Sequence, residues 1–194
     1  MITIDDIVSA RTRIASGIIA TPCPLSLSLS ELLGCEIYCK LEFLQRTGSF
    51  KERGARNALL LLDAAKKAKG VIAASAGNHA LALAYHGGKL GVPVTVVMPT
   101  YAPLVKQINC GRLGANVVLC GASFAEAKAR ADELARTQEL TYIHGYDDPA
   151  IIAGQGTLGL EVAEQTPNPT PEVVGNSKPS TKRHFPQRQT HDDQ

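Results

Sequence analysis

From residue 54 onward the chain alternates between helical segments and short, almost wholly apolar segments, and this alternation restricts the possible folds more than any other feature. Strands without polar positions are buried on both faces, and helices between consecutive strands permit parallel pairing. The predicted strands cover residues 71–75, 94–98, 117–119 and 141–144. The predicted helices cover residues 55–69, 78–90, 104–110, 124–136 and 147–164. The sequence therefore predicts an α/β fold, with parallel sheets flanked by helices.

Polar residues and proline mark where two of these helices begin. Ser123 is a plausible N-cap for the helix at 124–136, because its hydroxyl can accept a backbone N–H bond. Asp147 or Asp148 is expected to cap the last helix, with Pro149 early in it.

The first 53 residues follow a different pattern. Apolar residues recur at helical spacing over residues 4–19, which predicts a helix. Residues 36–43 alternate strictly, so that Ile37, Cys39, Leu41 and Phe43 share one face while Glu42 lies on the other. This pattern predicts a half-buried strand that leads directly into the segment around Lys51.

Composition and charge argue against several classes of protein. The net charge is +2, and no basic patch with interleaved aromatic residues suggests nucleic acid as a partner. No apolar run reaches the length of a membrane span, and the first residues lack the pattern of a secretory signal, so we expect a cytoplasmic protein. The five cysteines are expected to be reduced thiols. Cys35 and Cys39 are expected to be buried apolar residues, since no His or Cys cluster completes a metal site.

Residues 45–54 read Gln-Arg-Thr-Gly-Ser-Phe-Lys-Glu-Arg-Gly and place Lys51 at the start of a helix, behind a turn that Gly48 permits. A lysine amine reacts with an aldehyde only when neutral, and burial or nearby positive charge lowers its pKa. Arg53 could supply such charge, but we expect its guanidinium to be solvated on the far side of the turn. The alternative for Lys51 is an ordinary surface lysine.

This decapeptide resembles the Schiff-base lysine motif of the fold-type II (tryptophan synthase β-like) pyridoxal phosphate enzymes, and most closely that of the threonine/serine dehydratases. The resemblance implies pyridoxal 5'-phosphate as cofactor, Lys51 as the catalytic and cofactor-binding lysine, and Phe50 near the cofactor ring. A core aromatic residue is the alternative for Phe50.

A second segment, Ser75-Ala-Gly-Asn-His79, stands where a predicted parallel strand ends and a helix begins. Ligands bind at this edge of open α/β sheets, and the free N–H groups of a helix N-terminus suit a carboxylate. By resemblance this loop holds the substrate carboxylate, with Ser75, Asn78 and His79 as substrate-binding residues and Asn78 also touching the cofactor. A helix cap is the alternative for Asn78. Serine racemases of this fold carry a serine at the position of Ala76, so Ala76 predicts dehydration instead of racemisation.

A third segment, Gly154-Gln-Gly-Thr-Leu-Gly159, matches the dinucleotide pattern, but it lies in or just before a helix and lacks the acidic residue about twenty positions on. It resembles instead a helix of the dehydratases that returns to the larger domain. The resemblance covers residues from about 4 to 165 and then stops. Only Gly175 follows Gly159, so the glycine-rich loop that cradles the cofactor phosphate in the family is missing.

Four parts are predicted along the chain. Residues 1–53 begin an incomplete larger domain, 54–146 form a smaller α/β domain, and 147–165 form the return helix. Residues 166–194, with five prolines after position 166, are expected to be disordered.

The function predicted by resemblance is a threonine/serine ammonia-lyase that gives a 2-oxo acid and ammonia. Two alternatives are a non-catalytic fragment and another β-eliminating or β-replacing enzyme of this fold, such as a cysteine synthase relative. The expected partner is a small amino acid, with neither nucleic acid nor membrane, and homo-oligomerisation is left open.

Overall fold

The computed structural model of the chain describes residues 1–167. The helices are α1 (Ile4–Ile14), α2 (Leu27–Leu33), α3 (Lys51–Leu61), α4 (Ala64–Lys69), α5 (Asn78–Leu90), α6 (Leu104–Arg112), α7 (Phe124–Thr137) and α8 (Pro149–Gln165). The strands are β1 (Val71–Ala74), β2 (Val94–Met98), β3 (Asn116–Leu119) and β4 (Thr141–Tyr142). Short 3-10 turns cover Ala15–Gly17 and Glu42–Leu44.

The four strands form one parallel sheet in the order β3-β2-β1-β4. Alternate residues of β1 enter different cores, with Val71 and Ala73 packed against α3, α5 and α6. Ile72 and Ala74 pack against α7 on the opposite face. The predicted parallel sheet covered by helices on both faces is therefore confirmed.

Helix α8 begins and packs as its sequence dictates. The Asp148 carboxylate accepts N–H bonds from Ala150 and Ile151 at 2.7 and 3.1 Å, which makes it the N-cap. Further along, the backbone of Gly154 lies so close to α3 that a Cβ there would be 2.6 Å from Gly54 Cα. The two glycines therefore let α8 cross directly against the helix that begins with Lys51.

The predicted strand over residues 36–43 is wrong. Backbone hydrogen bonds pair this segment antiparallel with residues 22–26, but only the Leu25–Tyr38 bridge is regular, and a 3-10 turn follows. Phe43 is 65% exposed while Glu42 is buried, the reverse of the predicted faces. The reason is electrostatic, because the Glu42 carboxylate turns inward and pairs with the buried guanidinium of Arg53.

Several smaller predictions also need correction. The helix predicted over residues 4–19 ends at Ile14, and that over 55–69 is two helices. Helix α2 was not predicted. Cys35 is exposed and Cys39 is partly exposed, so neither is a buried apolar residue.

The predicted boundary between residues 53 and 54 falls inside α3. The division into domains stays a prediction, and the predicted disordered segment lies outside the described residues from position 168 on. Within residues 1–167, no helix is long and apolar enough to cross a membrane. No group of three or more His, Cys, Asp or Glu residues in that range could hold a metal ion.

Candidate active site

Lys51 is the first residue of α3 and lies partly buried at the end of the turn formed by residues 45–50. Gly48 in this turn has a φ of 79°, a conformation that favours glycine. The Nζ atom of Lys51 donates a hydrogen bond to the carbonyl oxygen of Gly145 at 2.7 Å. It also lies 5.1 Å from the centroid of the Phe50 ring. The amine is therefore held between its own turn and the segment that follows β4.

Burial lowers the pKa of Lys51 below its ordinary value. No carboxylate within residues 1–167 pairs with its amine. Because burial lowers this pKa and no carboxylate in that range offsets the effect, the amine has a larger neutral fraction than a solvated lysine. This is the form that the chemistry predicted for Lys51 requires.

The segment from Ser75 to His79 joins β1 to α5 at the carboxyl edge of the sheet. The Ser75 hydroxyl accepts an N–H bond from Gly77 at 3.3 Å. Asn78 is exposed as the first residue of α5, with Gly77 at the cap position, and its Oδ1 accepts a bond from Lys106 at 3.4 Å. The loop thus presents one hydroxyl and one amide beside the N-terminus of a helix of 13 residues.

His79 is buried, with 5% of its surface exposed. Its Nε2 lies 3.1 Å from the carbonyl oxygen of Ile143, which can only accept, so Nε2 carries the hydrogen. Burial, with a smaller contribution from the nearby charge of Lys51, lowers the pKa of His79 to about 4, although the hydrogen bond to Ile143 acts in the opposite direction. The ring is therefore neutral near pH 7, with a bare Nδ1 that has no partner within residues 1–167.

Lys51 and His79 are brought together through residues 143–145. Gly145 accepts the bond from Lys51, and a Cβ on Gly145 would lie 3.4 Å from Cδ2 of His79. Phe50 shares the lysine side of this arrangement, whereas Ser75 lies on the loop before α5 and Asn78 is the first residue of α5. All five predicted site residues are thus placed around one edge of the sheet, and their roles stay predictions.

Arg53 is buried, with 1% of its surface exposed, so the prediction of a solvated guanidinium is wrong. Its Nε and Nη2 donate to the two oxygens of Glu42, each at 2.8 Å. Its Nη1 and Nη2 donate to the oxygens of Glu161 in α8, at 2.7 and 2.8 Å. Lys40 also reaches Glu161, at 2.5 Å. Two positive and two negative side chains therefore neutralise each other inside the protein.

Burial alone would raise the pKa values of Glu42 and Glu161, but the hydrogen bonds and charge of Arg53, together with bonds from Thr21 to Glu42 and from Lys40 to Glu161, outweigh burial and hold both below their usual value. Both carboxylates consequently stay ionised in the folded chain. Through Arg53, which lies two residues after Lys51, Glu42 and Glu161 connect the segment before the turn to α3 and α8.

The sequence reasoning missed Gly145, Glu52 and His86. Gly145 acts through its backbone, for which no side-chain pattern exists, although its place just after a predicted strand at the same edge was a usable signal. Glu52 and His86 are both completely buried and hydrogen-bonded to each other. A second histidine seven residues after His79 was the available clue to that pair.

The residues around Lys51 fit the cofactor that the resemblance implies. An aldehyde-bearing phosphorylated pyridine needs a reactive amine without a carboxylate partner, and Lys51 meets that requirement in the part of the chain that the structure describes. The buried hydroxyls of Thr47 and Ser49, in the same turn, have no hydrogen-bond partner within residues 1–167. Unsatisfied polar atoms of this kind mark a place where a further polar group can be accommodated.

Comparison with known proteins agrees with this chemistry. The family model described as "Pyridoxal-phosphate dependent enzyme" matches residues 14–177. L-threonine ammonia-lyase of Thermotoga maritima is 44% identical over 90% of this chain, and the match covers 43% of that protein. The catabolic L-threonine dehydratase TdcB of Escherichia coli is 45% identical over 84% of this chain and 50% of its own length. The chain thus spans about half the length of these curated relatives.

Solved structures of two related enzymes have the same fold as this chain. Serine racemase of Dictyostelium discoideum is 41% identical and superposes with a TM-score of 0.81, covering 86% of this chain and 54% of that one. Threonine deaminase isoform 2 of Solanum lycopersicum is also 41% identical, with a TM-score of 0.76, covering 84% of this chain and 46% of that one. The predicted fold class is confirmed, and the chain belongs to the pyridoxal-phosphate dependent enzyme family.

Proposed function

We propose that this chain carries the lysine-bearing half of a threonine/serine dehydratase, an ammonia-lyase that gives a 2-oxo acid and ammonia. The observation that supports this most is the amine of Lys51, which is partly buried, has no carboxylate partner among the described residues 1–167 and lies near His79 at the end of the Ser75–His79 segment. When bound, pyridoxal phosphate would supply an electron sink for the carbanion formed at the substrate α-carbon. Lys51 and Phe50 would hold it, with Asn78 at its edge.

The residues of the chain have separate roles in proton transfer and in substrate binding. The neutral amine of Lys51 takes the proton from the substrate α-carbon, for which its lowered pKa is suited. The N–H groups at the start of α5 and the Ser75 hydroxyl bind the substrate carboxylate. His79 is nearly inaccessible, so we assign it to holding the loop against Ile143, and only its bare Nδ1 remains for substrate.

Ala76 supports dehydration over racemisation within this proposal. It lies in the loop between Ser75 and Gly77 and packs partly buried against the main core. A methyl group there cannot carry a proton to the second face of the substrate carbon. The serine racemase structure is similar in fold, so this position discriminates between the two reactions only through its side chain.

Purified full-length chain should be mixed with pyridoxal phosphate, reduced with borohydride and digested for mass spectrometry. We expect a covalent adduct on the peptide that contains Lys51. Lys51→Ala should abolish the adduct, while Lys66→Ala, which removes an exposed lysine, should leave it unchanged. An adduct spread over surface lysines at equal yield would contradict the assignment of Lys51.

Product analysis then separates the remaining alternatives. Ammonia and a 2-oxo acid from threonine or serine, without added sulfide, support the lyase. A product formed only with sulfide would favour a cysteine synthase relative. An adduct without ammonia would indicate a non-catalytic fragment that still binds the cofactor, a reading supported by coverage of about half of each relative. A cytoplasmic location remains part of the proposal, and homo-oligomerisation stays open.

A further inference from the structure

Glu52, the residue after Lys51, has no exposed surface, and its two carboxylate oxygens are held by different parts of the molecule. One oxygen accepts a hydrogen bond from the backbone N–H of Thr47, in the turn before Lys51. The other lies 3.2 Å from Nε2 of His86, which is also completely buried in α5. A carboxylate removed from water needs donors of this kind. The Glu52 side chain therefore ties the lysine turn to α5.

Helix α5 meets the surroundings of Lys51 at a second place. His79 precedes His86 by seven residues, about two helical turns, so both rings lie on the same face of α5. The His79 ring packs on Gly145, and the carbonyl of Gly145 accepts the hydrogen bond from the Lys51 amine. His86 thus holds the backbone of Lys51 in place through Glu52, and His79 holds its amine in place through Gly145.

We propose that Glu52 is a positioning residue which, together with His86, fixes the lysine turn on α5 and so holds the Lys51 amine against Gly145. The proposal deepens the proposed function, because it concerns the lysine to which that function assigns the chemistry. Loss of the tie would let the turn move outward and expose the amine to water. Since burial is what lowers the pKa of Lys51, that pKa would then rise toward its ordinary value.

The direction of this change is diagnostic. Replacing Glu52 by Gln, at the residue next to Lys51, could act on the amine by charge only through the loss of a carboxylate, and that loss would lower the pKa of the amine and speed its reaction. Loss of position predicts the opposite, a slower reaction. A rise of half a pKa unit would slow labelling about threefold below the pKa, because each unit corresponds to tenfold.

The test is the labelling rate of Lys51 by an amine-reactive acetylating reagent at neutral pH, measured without cofactor by mass spectrometry of the Lys51 peptide and divided by the rate at a pH where the amine is fully neutral, so that a change in reagent access cancels. We expect Glu52→Gln to label at least about threefold more slowly than the natural sequence. Glu133→Gln makes the same substitution at an exposed carboxylate in α7 and should label at the natural rate. A folded Glu52→Gln chain with an unchanged or faster rate overturns the proposal, even if its melting temperature falls.

Two substitutions of His86 decide the matter if Glu52→Gln does not fold. His86→Gln can keep an N–H donor within reach of Glu52, whereas His86→Asn is one methylene shorter. We expect near-natural labelling of Lys51 in the first and slow labelling in the second, and equal rates would overturn the proposal. Slow labelling of these variants without a cofactor adduct on Lys51 in the natural chain would refute only the proposed function. An adduct on Lys51 with equal labelling rates would refute only the role of Glu52.

Discussion

Replacing Arg53 by Met is the sharpest test of what holds the lysine helix in place. The substitution keeps an unbranched side chain but removes the charge that neutralises Glu42 and Glu161. Breaking a buried ion pair from one side costs about 3–5 kcal/mol, because the partners stay buried without compensation. Lys40 still contacts Glu161 at 2.5 Å and Thr21 still donates to Glu42 at 2.6 Å, so we take the lower end, about 3 kcal/mol.

Thermal unfolding followed by circular dichroism at pH 7 measures this cost. A chain of this size loses about 2–4 °C of melting temperature per kcal/mol, so we expect a decrease of about 6–12 °C. Arg130→Met is the matched control, because it breaks an exposed pair with Glu133 and should cost less than about 1 kcal/mol. Equal melting temperatures for the two variants would refute the argument that the Arg53 cluster stabilises the fold.

The pH dependence of stability provides a second, independent test of the role of Arg53. In the natural chain the folded pKa values of Glu42 and Glu161 lie below their unfolded values, so their contribution is present above the unfolded pKa of 4.5 and is lost as the pH falls further. Without Arg53, only the weaker contacts from Thr21 and Lys40 oppose burial, so we expect both folded pKa values to rise and protonation to favour the folded state. The deficit of Arg53→Met should therefore shrink on acidification from pH 7 toward pH 5, and a constant or growing deficit would count against the mechanism.

Three further outcomes are expected. Gly154→Ala should lower the free energy of unfolding by about 1–3 kcal/mol, because its Cβ would meet the backbone of α3. Gly159→Ala, in the same helix but with open space around it, should be neutral or stabilising. Equal effects of the two substitutions in urea titrations would contradict the close crossing of α8 and α3. Asp148→Ala should cost about 1 kcal/mol in the same titrations, since two N–H groups lose their acceptor, and no change would mean that solvent replaces the cap at no cost. The folded pKa of His79 is about 4, below its usual 6.5, so stability should fall as the pH decreases from 6.5 toward 4, and His79→Gln should reduce that slope; an identical slope would assign it to other groups.

The sheet could be predicted from sequence because its signal is local. The apolar runs at 94–98 and 71–75 coincide with β2 and, within one residue, β1, and the helical pattern at 78–90 coincides with α5. The segment at 36–43 shows the limit of that approach. Its alternation is real, but the inward position of Glu42 depends on Arg53, 11 residues later, and Arg53 in turn bonds Glu161, 108 residues further on. Pairings over such distances leave no local pattern.

The candidate site shows a similar division. The motif around Lys51 predicted a partly buried lysine at the start of a helix, which is where the structure places it. The acceptor of its amine could not be predicted, because Gly145 offers only a backbone carbonyl. The burial of Arg53 was predicted wrongly because a charged residue in a turn is most often solvated, and its two carboxylate partners come from distant segments.

The contact between Arg53 and Glu161 also has a consequence for the order of events during protein synthesis. Glu161 lies in the last helix described, so it leaves the ribosome after every strand of the sheet has been made. Until then Arg53 lacks one of its two carboxylate partners, and Gly54 lacks the helix that crosses it. The sheet can assemble while the chain is still growing, whereas the lysine helix reaches its final packing only when translation has passed α8.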